Sequence, residues 1–154
     1  MPLTYGLISA KDLLAKLRRD AELLDAEVTS DRFFNFVVTG YSLIDWIKND
    51  PSVPSSAKAA VPSLYADRWL KVCGDLAIAS KHFTLTIRVP ITTDAASSRG
   101  WGCGRWGKGG WGTGEEHISV SLNDGTTFSG LDLVNGVISV WEQFFASHGL
   151  WIAS

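Results

Sequence analysis

Arg68, Asp75 and His82 stand seven residues apart along the chain. Seven residues make about two helical turns, so on one helix the three side chains fall on a single face. Lys71, four residues before Asp75, and Lys81, beside His82, bring cations to the same seam. A histidine that moves a proton, a carboxylate that orients it and an ammonium that stabilises an anion are the parts of a small acid–base site. On that reading the candidate catalytic residues are His82, Asp75 and Lys81. The bland reading of the same residues is a polar network between helices, with His82 as a cation at a helix C-terminus, where the macrodipole favours it. Asn35, Ser42, Asp45 and Asn49 on the preceding helix are the expected partners of such a network.

A second group lies in residues 99–114, where eight of the fifteen glycines and three of the seven tryptophans are concentrated. Trp101, Trp106 and Trp111 recur every five residues, interleaved with Arg99, Arg105 and Lys108. Glycine at this density makes ordering costly, while indoles in water favour a partner. The stretch can fold back on the body of the protein. It can contact another protein, since Trp and Arg are enriched at binding hot spots. It can bind single-stranded nucleic acid, with bases stacked on indoles and phosphates held by the cations, or a carbohydrate or small ligand. The candidate binding residues are therefore Trp101, Trp106, Trp111, Arg99, Arg105 and Lys108. The stretch is no phosphate loop, because Gly109 and Gly110 follow Lys108 where a Ser or Thr is needed. Gly102, Gly104 and Gly107 match a dinucleotide-binding spacing, but a strand rather than a helix is expected after them.

Metal chemistry finds little support. Two cysteines, Cys73 and Cys103, are too few for a four-thiolate zinc site. His82, His117 and His148 are scattered. Cys73 falls in an apolar helical pattern and reads as a buried thiol. No metal and no cofactor is expected.

The elements that must position these residues follow from hydrophobic period and end signals. Ser9 and Asp12 open a helix over 10–26, with Leu13, Leu14, Leu17, Ala21 and Leu24 on one face. Thr29, Ser30 and Asp31 open a second, which ends at Asn49 and Asp50 before Pro51. Residues 51–57 read as a loop. A third helix is expected over 60–82, with Pro62 in its first turn, where the missing N–H does no harm. Phe83, Leu85, Ile87 and Val89 then alternate with polar residues, predicting a half-buried strand. A loop over 92–114 follows. Ile118, Val120 and Leu122 mark a second strand, Asn123-Asp124-Gly125 a tight turn, and Thr126 to Phe128 a short third strand. Ser129 and Asp132 open the last helix, whose stripe is Val134, Val137, Ile138, Trp141, Phe144 and Phe145, with Gly149 as its C-terminal cap.

The order excludes alternating β-α-β units, and with them a Rossmann fold. The expected fold is mainly α, a four-helix bundle with a small three-stranded antiparallel sheet inserted between helices three and four. The whole of 1–154 is read as a single domain. At 154 residues, 45% hydrophobic and 19% charged, the chain suits one folded domain. A net charge of −2 argues against a generally basic nucleic-acid coat. No signal peptide and no apolar run near the roughly 18 residues of a membrane span is seen, so a soluble cytoplasmic protein with no membrane partner is expected.

Two segments carry a resemblance. Phe34 to Trp46 and Cys73 to Phe83 resemble stretches of uncharacterised phage and bacterial proteins, where the second reads Asp-x-Ala-Asn-x-x-Lys-His-Phe. Their arrangement is similar to the HEPN superfamily of four-helix bundles, over roughly residues 10–90 and the last helix. Residues 99–114 are no part of it. The resemblance implies a HEPN-like bundle, a homodimer and a place in phage or host-defence systems. Carried onto His82, with Asp75 and Lys81, it implies a metal-independent ribonuclease. This chain departs from the pattern at Ile78, where the family has asparagine, and has no arginine four to six residues before His82. The functional expectation is a non-catalytic interaction protein of phage or host-defence context that grips a macromolecule through residues 99–114. Its partner would be a protein or a single-stranded nucleic acid. The alternative is a HEPN-like RNase centred on His82.

Overall fold

Ser9 starts the first helix, as its position before the leucine stripe predicts. In a computed structural model that describes residues 4–84, 89–98 and 116–150, its hydroxyl accepts the Asp12 N–H at 3.2 Å. The Asp12 carboxylate accepts the Ser9 N–H in return at 3.1 Å, a reciprocal cap that satisfies two orphan donors. Helix α1 spans Ala10–Ala26 and buries Leu13, Leu14, Leu17 and Leu24. Thr29 caps α2, Ser30–Asn49, by accepting the Arg32 N–H at 3.1 Å. Asp50, just past its end, accepts the Ala10 N–H at 2.8 Å. The end of α2 therefore supplies an acceptor to an N–H at the start of α1 and pins the two helices together.

The single helix expected over 60–82 is two shorter ones, α4 (Val61–Ala66) and α5 (Arg68–His82), preceded by a short α3 (Ser55–Ala59). Asp67 makes the break: its backbone is extended and its side chain accepts the Leu70 N–H at 3.1 Å, so it ends α4 and caps α5. Pro62 does sit in a first turn, that of α4. Helix α3 also occupies part of the expected loop 51–57.

The strand expected from Phe83 and Val89 is absent at both residues. Phe83 ends α5 at φ +68° and is 93% exposed, and Val89 is 91% exposed; residues 85–88 lie outside the described residues. The first strand is β1, Thr92–Ser98, in the segment read as loop. Six of its residues are exposed on both faces, so no alternating apolar pattern exists to announce it. β2, His117–Leu122, buries Ile118, Val120 and Leu122 as expected. The turn closes with Gly125 at φ +88° and leads to β3, Thr127–Ser129. The sheet is antiparallel in the order β1-β2-β3.

Helix α6, Gly130–Ser147, opens on a second reciprocal cap between Ser129 and Asp132. It ends with Gly149 at φ +63°, where the Leu150 N–H reaches Phe145 O at 2.9 Å and the Gly149 N–H reaches Ala146 O at 3.3 Å, the paired bonds of a Schellman end. The protein is thus mainly helical, with a small antiparallel sheet between its last two long helices.

The four long helices α1, α2, α5 and α6 meet at Gly40. A Cβ added there would stand 3.2 Å from Cys73 Sγ and Val137 Cγ1 and 3.5 Å from Leu17 Cδ1. The fully buried Trp141 donates its indole N–H to Gly40 O at 3.0 Å, and the Cys73 thiol donates to Val37 O at 3.3 Å. Among the described residues no helix is long and apolar enough to cross a membrane.

Candidate functional site

Helix α5 carries every residue of the predicted seam, and it sends them to three different surroundings. Arg68, in the first turn, donates from Nη2 to Asp124 Oδ2 at 2.8 Å and to Thr126 Oγ1 at 3.0 Å. Those hydrogen bonds tie α5 to the β2–β3 turn. The Thr126 hydroxyl and N–H, and then the Arg68 guanidinium, hold the Asp124 carboxyl below its ordinary range. Asp75, two turns on, is fully buried. Its Oδ2 accepts the N–H groups of Ile91 and Thr92 at 2.9 and 3.0 Å. The carboxylate fastens the entry of β1 onto the helix. Lys81 and His82 are exposed in the last turn.

The bland reading of the seam is closer to what is found, with different partners. Asp75 serves backbone donors 16 and 17 residues away, and it does not orient the His82 ring, two turns away at the exposed helix end. Two residues of the polar edge of α2 turn to their own helix. Asp45 pairs with Lys48 at 3.5 Å, and Asn49 donates to Asp45 O at 2.8 Å, both within α2 itself. Burial pushes the Cys73 thiol well up, which makes it an inert core residue rather than a nucleophile. Among the described residues, no three His, Cys, Asp or Glu side chains gather as a metal site would need.

The six candidate binding residues, Arg99, Trp101, Arg105, Trp106, Lys108 and Trp111, lie outside the described residues. Both ends of their stretch are fixed, however. β1 and β2 are neighbours with Ser98 opposite His117, so residues 99–116 connect the two strands of a hairpin. At its foot Glu116 is buried. Its carboxylate accepts the Ser30 N–H at 3.1 Å and also the hydroxyls of Ser30 and Ser97. A carboxylate at a helix N-terminus is favoured by the macrodipole. Glu116 thus clamps the hairpin foot to the start of α2. Nothing in the sequence pattern marks this role, because Glu116 follows a glycine run and has no periodic partner.

Two of the surface recesses adjoin the elements just described. One, of 510 Å³, lies between α5, α6 and the β2–β3 turn and is lined by Arg68, Trp69, Thr126, Phe128, Asn135 and Gly136 among others. Trp69 and Phe128 meet edge to face there, with ring centroids 5.2 Å apart. Trp69 also lies so close to α6 that a Cβ on Gly136 would stand 2.3 Å from its ring. Neither Asp75 nor His82 lines this recess. The other, of 230 Å³, lies beside the hairpin foot, between α2, α5 and β1.

Comparison of the chain with protein-family models, with curated proteins and with solved structures found no match.

Proposed function

We propose that this is a non-catalytic interaction protein that grips a macromolecular partner through the 99–114 connection. Trp101, Trp106 and Trp111 supply the contact area, and Arg99, Arg105 and Lys108 the polar contacts. The observation that carries this reading is the pairing of Ser98 with His117 above the Glu116 clamp. A connection whose two ends are held side by side by a sheet confines where its indoles can reach, which lowers the ordering cost of binding. The dispersal of Arg68, Asp75 and His82 supports it from the other side, since the acid–base reading needs its groups within hydrogen-bond reach of one another.

A HEPN-like four-helix bundle and a phage or host-defence context belong to the same proposal. They rest on the segments Phe34–Trp46 and Cys73–Phe83, and the packing of four long helices around Gly40 is compatible with them. So does a homodimer, for which light scattering should report twice the chain mass of 16.7 kDa. The test of the binding reading is a pull-down from host cells with the full chain and with residues 99–114 replaced by a Gly-Ser linker. A partner retained only by the full chain is the expected result; one retained by both sinks the reading. The alternative, a ribonuclease centred on His82, predicts RNA cleavage that His82→Ala abolishes.

A further inference from the structure

A third recess, of 480 Å³, runs between α1 and α6. Ala21 on α1 and Leu131, Val134 and Ile138 on α6 give it an apolar floor. Among the described residues of its lining, three carboxylates, Glu22, Asp25 and Glu142, stand against one guanidinium, Arg18. Both Arg18 contacts, from Nε at 3.1 Å and Nη2 at 3.0 Å, fall on Oε1 of Glu142. Glu22 and Asp25 are three residues apart near the end of α1, so two like charges are neighbours on one face. The macrodipole disfavours carboxylates at that end, and the last turn of α1 holds no basic residue. Helix α1 thus breaks two local rules where it borders an apolar groove. Such breaks are expected at binding sites, where a ligand offsets them.

Volume, charge and spacing together select the ligand. At 480 Å³ the groove falls within the roughly 300–1,000 Å³ of small-molecule sites. Its acidic rim calls for a cation. Among the described residues no three His, Cys, Asp or Glu side chains gather to hold a metal ion, which favours an organic cation. The apolar floor calls for a hydrocarbon stem beside the charge. By helix rise, Glu22 and Asp25 lie roughly 6 and 10 Å along α1 from Arg18, the residue bonded to Glu142. An extended run of three or four methylenes sets the nitrogens at its ends roughly 5–6 Å apart. Two such units in series match the stations at Glu142, Glu22 and Asp25. We propose that the groove binds a linear aliphatic polyamine of the spermidine class. Its ammonium groups meet the carboxylates and its methylenes lie along the floor. This site does not rest on the function proposed above.

The experiment is a titration of the full ¹⁵N-labelled chain with spermidine in about 0.15 M NaCl, where loose surface attraction is screened. Saturable amide shifts centred on Ala21, Glu22, Asp25, Leu131 and Ile138 are expected. Glu22→Gln and Asp25→Asn should each weaken binding at least fivefold. The free variants should melt no lower than the parent, because a like-charge contact is relieved. Asp45→Asn, which removes an exposed carboxylate of α2, should leave binding unchanged. Shifts that do not saturate, or that fall elsewhere, overturn the proposal. So does an equal loss in all three variants, which would report net charge alone. Hexaamminecobalt(III) carries the charge of spermidine without a stem, and equal affinity for it overturns the proposal as well. A lysine-rich helical peptide that shifts the same amides at lower concentration than spermidine overturns it in favour of a protein partner. Replacing residues 99–114 by a Gly-Ser linker should leave spermidine affinity unchanged, whatever it does to the pull-down. Tighter binding in that variant overturns the proposal, because Arg99, Arg105 or Lys108 of the chain itself then competes for the groove.

Discussion

Two changes on one helix separate the structural role of the α5 seam from a catalytic one. Asp75 is buried, with the N–H groups of Ile91 and Thr92 on one oxygen. Asp75→Ala leaves those donors without their acceptor and should cost roughly 1–3 kcal/mol, read as a lower urea midpoint. His82 is exposed at the end of the helix, and His82→Ala should change stability by no more than about 0.5 kcal/mol. Equal losses in both variants would mean that His82 is part of the same network. The heptad spacing was legible in the sequence, and the three residues do lie on one helix, α5. What that face meets was not legible. Spacing reports direction along one helix, whereas the partners of Asp75 arrive from a segment whose path depends on where α5 ends.

At the scale of elements, the helix starts were the most readable part, because Ser9, Thr29 and Ser129 each stand ahead of an apolar stripe and cap through atoms close in sequence. Asp67 was not readable, since the apolar period runs on past it while the backbone turns. The end of α5 is a strained stop. Phe83 holds φ +68°, which a Cβ disfavours, and at 93% exposure it gains little packing in return. Phe83→Gly should therefore raise stability by about 1 kcal/mol, visible as a higher melting temperature. A lower one would show that the ring is held by a contact.

Acid tests the α1 and α2 ends. The Ile8 N–H draws the Asp12 carboxyl below its ordinary value; burial opposes it, and the Ser9 hydroxyl and N–H keep the net shift downward. Burial alone would raise Asp50, but the Ser52 hydroxyl and the N–H groups of Ala10 and Ser52 outweigh it and the net shift is downward. A carboxylate whose folded pKa is depressed contributes fully above the unfolded value, 3.8 here. Its contribution fades as pH falls from there through the lower folded value. Melting temperature should thus hold down to about pH 5 and fall below about pH 4. Asp50→Asn should flatten part of that fall. An unchanged acid limb in this variant would remove Asp50 from the account.

For the molecule as a whole, the helical class and the place of the sheet followed from period and order, because four long amphipathic helices must bury their stripes against one another. The site was less legible, since its two halves obey different physics: a seam that needs tertiary partners, and a glycine-rich stretch without a period of its own. The last prediction joins them. The contacts described at Gly40 and Trp141 in the core and at the Glu116 clamp at the hairpin foot are made among residues outside 99–114. Lengthening or relaxing a connection costs little, because closure entropy grows only slowly with length. Trp101→Ala, Trp106→Ala and Trp111→Ala combined should therefore leave the circular dichroism spectrum and the melting temperature close to those of the parent. The same triple variant should weaken partner binding by roughly 1–3 kcal/mol per indole engaged. A triple variant that unfolds would instead assign the indoles to the core. Loss of binding would then be a consequence of lost structure, and the gripping role would pass from the 99–114 connection to the surfaces that the sheet and helices already display.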